Sequence, residues 1–169
     1  MIIEISGKCK NCGSDYKILV DHGKSKDPCQ YCGEQPFDCK IIEGIIYIVS
    51  NPNQTGVKIG YTNKPIHERL KGLNSTGVPG EFGIIAIFPS AKAKVEEKKV
   101  HKKLIRYNLS KEHFDLDPID AVLKASRELK RDPIFYNKSY EEAFNLKREQ
   151  ARIDMKIRLQ GKGKLPAKK

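Results

Sequence analysis

Past Cys39 the hydrophobic positions settle into two alternating spacings. Ile45 to Ser50 and Val57 to Thr62 are short runs rich in β-branched and aromatic residues, and the NPNQTG between them is a turn, so the pattern predicts a hairpin. The following NKPIHERLKGLNSTG places Ile66, Leu70 and Leu73 at i, i+4 and i+7, with Pro65 suited to a first turn and Gly77 just past the end; it predicts a helix. Phe82 to Phe88 is a third strand. AKAKVEEKKVHKKLIRY predicts a second helix with Val100, Leu104 and Tyr107 on one stripe, and DPIDAVLKASRELKR a third opening after Pro118. A last helix opens through Ser139, with Glu142 completing a capping box, and runs into a Lys-, Gly- and Pro-containing tail. The fold class is therefore α/β (α+β): a small domain with a three-stranded, mainly antiparallel sheet flanked by helices.

The simplest register of the hairpin pairs Ser50 with Val57, Val49 with Lys58 and Tyr47 with Gly60. Tyr47, Lys58 and Gly60 then share one face, and the missing side chain at Gly60 predicts open space where a phosphate can approach both the phenol and the ammonium.

Charge narrows the class of partner. The 32 Lys and Arg outnumber the 21 Asp and Glu, for a formal net charge of +11 and a pI near 9.4. Such a balance favours nucleic acid or an anionic membrane surface. No apolar run reaches the roughly 20 residues of a membrane span, and the start MIIEISGKCKNC lacks the long apolar region of a signal peptide. The expectation is an intracellular, cytoplasmic protein without a membrane partner; whether it forms a homo-oligomer is left open. Much of the charge lies late in the chain, where Lys147, Arg148, Arg152, Lys156 and Arg158 make a basic segment suited to a DNA backbone or simply to solubility.

Four of the five cysteines form two pairs, Cys9-x2-Cys12 and Cys29-x2-Cys32, with sixteen residues between the pairs. Each pair matches a knuckle that grips one tetrahedral zinc, with Gly13 and Gly33 placed for the tight turn after it. A segment of about forty residues is too small to fold on its own apolar burial, so a closed four-cysteine zinc site would be structural. His22 and Cys39 stand outside the pairs as substitute ligands without a partner at knuckle spacing. The chain divides accordingly into a zinc-ribbon-like module (1–40), a central domain (41–132) and a basic C-terminal helix and tail (133–169).

Gly44-x-x-Tyr47, then VKIG with Lys58 eleven residues after the tyrosine, then Arg69 on the next helix, resemble the GIY-YIG nuclease superfamily. The likeness is nearest to its phage Orf-type and Mug-type branch, where VKIGYT, TGVP and a helix with Glu-x-x-x-His recur, here Glu97 and His101; it covers roughly residues 43 to 116. The resemblance implies a DNA endonuclease in which Tyr47 is the first motif tyrosine, Arg69 the helix arginine and Glu97 the ligand of a catalytic Mg²⁺ or Mn²⁺. Lys58 replaces the second motif tyrosine. Glu112 and Phe114, in KEHF, match the acidic-aromatic segment that closes the domain.

Those residue types suit phosphodiester hydrolysis, which needs an activated water, neutralised nonbridging oxygens and a stabilised leaving oxygen. Tyr47 is a candidate general base, Arg69 a two-donor clamp on the phosphate, and a single carboxylate suffices for a cation that keeps its waters. Plainer readings stand beside these: Tyr47 as a half-buried strand aromatic, and Arg69 and Glu97 as solvated helix charges. Glu97 and His101, at i and i+4, border the Val100/Leu104 stripe, as Arg69 borders its own. Glu96 borders the other side of its stripe and is a rival metal ligand. His101 would bind metal, orient Glu97, contact phosphate or serve as a structural histidine. The alternative function is a DNA-binding or adaptor protein on the same fold without catalysis, for which Lys58 is the main argument.

Overall fold

The computed structural model describes residues 2–22, 24–25, 27–37, 42–75, 77 and 79–162. Cys39 and two residues of the TGVP motif, Thr76 and Val78, lie outside them. The described residues up to Phe37 form one compact unit and those from Ile42 onward a second.

The first unit is an antiparallel sheet of β1 (Ile2–Lys8), β2 (Asp15–Asp21) and β3 (Lys24–Ser25), in that order. Alternation along β2 buries Tyr16, Ile18 and Val20 and turns Lys17 and Leu19 outward. With Ile5, Phe37, Cys9 and Cys29 these residues make the unit's only described apolar cluster. It is small.

The second unit carries β4 (Gly44–Ser50), β5 (Val57–Thr62), α1 (Ile66–Asn74), β6 (Gly83–Ser90) and α2 (Ala93–Lys103). A 3-10 turn (Ile105–Tyr107), β7 (Asn108–Ser110), β8 (His113–Phe114), α3 (Pro118–Leu129), β9 (Ile134–Phe135) and α4 (Lys138–Lys162) follow. The three strands expected from the hydrophobic pattern are the centre of a six-stranded antiparallel sheet ordered β7-β8-β5-β4-β6-β9. The additions are strands of two or three residues, too short for a periodic signal.

The two sheet faces have different covers. Tyr47 and Val49 pack with Ile66 of α1, with Phe82 and with Ile87, flanked by Leu70 and Leu73. Ile46, Ile48, Val57 and Ile59 point the other way, into a core shared with Val100 and Leu104, with Ile119 and Val122 of α3 and with Phe144 of α4. The segment from 133 onward thus begins inside this unit.

Three local features differ from expectation. The second helix ends at Lys103, because the Leu104 amide is shared between the carbonyls of Val100 and His101 and the chain tightens into the 3-10 turn. The last helix is capped by Asn137, whose Oδ1 accepts from the Ser139 amide at 2.9 Å and its hydroxyl at 2.6 Å, so no Ser139/Glu142 box forms. Glu142 instead faces Lys138 at 3.7 Å. Finally, Glu96 accepts two hydrogen bonds from Arg131, at 2.6 and 2.7 Å, and one from the Ser90 hydroxyl at 2.6 Å. Arg131 also donates to the Pro89 carbonyl. Glu96 therefore ties the start of α2 to β6 and to the end of α3, which removes it as a rival metal ligand.

Candidate functional site

The hairpin pairs as its sequence predicts, Tyr47 with Gly60 and Val49 with Lys58, and residues directly opposite share a face. The space over Gly60 is nevertheless filled. A Cβ added there would lie 2.6 Å from the Tyr47 hydroxyl and 3.3 Å from Glu112 Oε2, so the glycine makes room for the phenol itself. Tyr47 is fully buried. Arg69, half-buried on α1, donates from Nε to the Tyr47 oxygen at 3.1 Å, and Lys58 Nζ meets Glu112 Oε2 at 2.7 Å. Burial raises the pKa of Tyr47; the Arg69 hydrogen bond and charge oppose that, and the Glu112 and Glu97 charges add to it. Arg69, Glu112 and Tyr61 also line an open cleft beside the hairpin, together with Glu68 and Gly72 of α1.

Glu97 and His101 approach from α2, on the other side of the sheet. His101 Nε2 lies 2.9 Å from the Ile59 carbonyl and 3.3 Å from Glu97 Oε1, so His101 reaches β5 at the residue before Gly60 and brings Glu97 with it. The His101 ring packs edge-on against Phe114. Glu97 is only 7% exposed, and that burial raises its pKa; His101 opposes the shift and Glu112 adds to it. The five residues expected at the site thus gather around one stretch of β5, with Tyr47, Lys58 and Arg69 over the hairpin and Glu97 and His101 arriving from α2 near the Ile59 carbonyl, close enough for the Glu97 charge to act on Tyr47.

Two neighbours were undervalued by sequence reasoning. Glu112, visible in KEHF but without an assigned role, is the carboxylate that answers Lys58. His113 pairs with Lys58 in register, and its buried Nε2 has no hydrogen-bond partner. Burial first, and then the Lys58 charge, lower its pKa. A two-residue strand gave no pattern that would have set it beside Lys58.

In the first unit Cys9, Cys12, Cys29 and Cys32 bring their sulfurs within 4.8 Å of one another. Cys9–Cys32 and Cys12–Cys29 are each 3.8 Å apart, the edge of a tetrahedron with metal–sulfur bonds of about 2.3 Å, which is about 3.8 Å. The two knuckles repeat each other. Gly13 and Gly33, at φ of 73° and 74°, donate to the Cys9 and Cys29 carbonyls, while the Cys9 and Cys29 amides donate to Ser14 and Glu34. The hydroxyl and amide of Ser14 hold the Cys12 thiol down to about 6. Cys32, despite the Glu34 amide, is pushed up to about 12 by desolvation and the neighbouring sulfurs. One thiolate thus opposes the next unless a cation answers them, and the four cysteines can hold a zinc ion. His22 is not part of the cluster: its Nδ1 lies 2.6 Å from Asp21.

On α4 the basic residues divide. Lys147 meets Asp120 at 2.8 Å and Asp117 at 3.7 Å, which raises its pKa, with the Asp120 hydrogen bond as the main cause. Arg148 pairs with Asp132 at 2.7 Å, and Arg152 with Glu149 at 3.4 Å. Lys156 and Arg158 are exposed.

No helix among the described residues is long and apolar enough to cross a membrane. No curated protein and no solved structure matches the chain. The T5orf172 domain family matches residues 44–130, from the first residue of β4 to the end of α3.

Proposed function

The chain belongs to the T5orf172 domain family, a phage-associated domain of the endonuclease-type group, and from that premise we propose a metal-dependent DNA endonuclease of GIY-YIG type. One observation carries the reading: Tyr47, Arg69 and the Lys58–Glu112 pair meet around Gly60 while His101, beside Glu97, reaches the preceding residue of the same strand.

Glu112 sits on Lys58 as a phosphate oxygen would, so an entering phosphodiester exchanges with a carboxylate already in place. Arg69, moving from the Tyr47 oxygen to the phosphate, exposes the phenol as it binds. Tyr47 takes the proton of the attacking water in its phenolate form, which burial makes scarce at neutral pH and the Arg69 charge partly restores. The donor set near Glu97, one carboxylate beside a histidine already turned to a backbone carbonyl, fits a hard cation that keeps most of its waters. Mg²⁺ or Mn²⁺ held by Glu97 would supply positive charge for the scissile phosphate and the leaving oxygen. His101 fixes the Glu97 carboxylate from the side. The zinc module (1–40) and the basic C-terminal helix and tail (133–169) hold DNA for the central domain (41–132).

The complete burial of Tyr47 favours a second reading, a DNA-binding or adaptor protein that does not cut. Plasmid nicking with Mg²⁺, Mn²⁺ or EDTA separates the two. The nuclease reading expects cleavage with a divalent cation, abolished in Glu97→Gln with DNA binding nearly intact; a protein that binds DNA but never cuts it across metals and substrates is the adaptor.

A further inference from the structure

Four clustered cations of the second unit form no ion pair with a described carboxylate. Lys103 closes α2, Arg106 stands in the 3-10 turn, and Lys124 and Arg127 lie a turn apart on α3; with Tyr107 between them they line one cleft, whose single acidic residue is Glu128. Among the described residues none of the four forms an ion pair. An aromatic ring holds two of them in place instead: Lys124 Nζ lies 5.1 Å, and the Arg106 guanidinium 5.9 Å, from the centre of Tyr107. Packing of this kind orders a cation without neutralising it.

Arg127 is also shared with a second groove, between α3 and α4. Arg148, Arg152 and Arg158 rim that groove over a floor that includes Phe144 and Met155, and Asp154 is the one carboxylate lining it. From Arg148 to Arg158 is ten helical residues, about 15 Å of axis. Cations gathered this densely repel one another, and a polyanion that displaces its own counterions onto them relieves the repulsion. Lys147, Arg148 and Arg152 are answered by Asp120, Asp132 and Glu149, so the unpaired charge of the region centres on Arg127 rather than on α4 alone.

We propose that the Lys103–Arg106–Lys124–Arg127 cleft and the α3–α4 groove form one continuous track for the phosphate backbone of DNA, read without base specificity. The track rests on DNA being the partner but not on its being cut. The test uses the full chain carrying Glu97→Gln, a fluorescent DNA duplex, and anisotropy titrations across a salt series. Lys124→Gln with Arg127→Gln should weaken binding at least about tenfold at moderate salt and lower the slope of log K against log salt by about 2, close to one per lost phosphate contact. A control with the same charge removed elsewhere, Lys92→Gln with Lys94→Gln, both exposed and outside the two grooves, should leave the slope within about half a unit of its parent. Thermal melts confirm folding; should the α3 pair fail to fold, Arg106→Gln with Arg152→Gln, both at exposed positions, should give the same loss. An unchanged slope in the folded track variants overturns the proposal and leaves the groove to an acidic protein segment, and equal losses in the control reduce it to net charge. Absence of cleavage by the unmodified chain, with the slope loss intact, would sink the nuclease reading alone.

Discussion

Gly60 and Tyr47 are a matched pair, and each explains the other. The absence of a side chain at Gly60 lets a buried phenol lie over the strand where Arg69 can reach it. Gly60→Ala should therefore destabilise the second unit by about 1–3 kcal/mol through overpacking, and the loss should shrink in combination with Tyr47→Phe, since the atom it strikes is then gone; urea unfolding of the four proteins gives the cycle. Tyr47→Phe alone should keep the fold and slow cleavage roughly a hundredfold. On the nuclease reading the unmodified protein should cleave faster as pH rises from 7 to 9, because a raised pKa leaves phenolate scarce below it, and the phenylalanine variant should lose that rise. Register and shared face were legible here from turn length and alternation. The filled space was not, because it depends on which way a tyrosine ring turns under a helix whose arginine lies 22 residues further on.

Adjacent glutamates on α2 illustrate what an element adds. By helical spacing Glu96 and Glu97 were rivals for one metal, bordering opposite sides of a stripe. Packing separates them: Glu96 faces Arg131, 35 residues away in sequence, whereas Glu97 is buried beside His101. No local pattern announces a partner that distant, which is why helices and central strands were readable and this assignment was not. Glu96→Gln should cost about 1–2 kcal/mol, the scale of a charge-assisted pair discounted for its partial exposure, while leaving cleavage by the folded protein close to normal. Glu97→Gln should do the reverse. The folded pKa of Glu97 lies above its unfolded value, so its contribution to stability is present below the unfolded pKa and is lost as pH rises through the folded one. The glutamine variant should accordingly melt no lower than the parent at pH 7, and its relative stability should fall as the pH drops toward 4. A melt that is lower at pH 7 and unaffected by acid would mean that the His101 contact outweighs burial.

Across the whole chain, the two compact units differ in what holds them together. The second has a core fed by both sheet faces and by α2, α3 and α4; the first has a few buried side chains around its cysteines. The cysteine spacing disclosed the metal cluster at once, because two knuckles encode their geometry locally, whereas the core of the second unit is built from contacts between elements far apart in sequence. The apolar cluster of the first unit cannot offset the ordering entropy of some forty residues, so its folding should depend on zinc, whose binding contributes on the order of 10–16 kcal/mol in small zinc domains at neutral pH. Purified protein should hold about one zinc per chain through dialysis against a mild chelator. Stripping the metal with a strong chelator should then abolish amide-exchange protection between residues 2 and 37 while the protection of β4, β5, β6 and α3 persists. Acid should reproduce the loss, since a metal-bound thiolate competes with protons for each sulfur. Protection of the first unit that survives complete removal of zinc would show that its small core suffices, and loss of protection in both units together would show that the zinc unit supports the fold of the second.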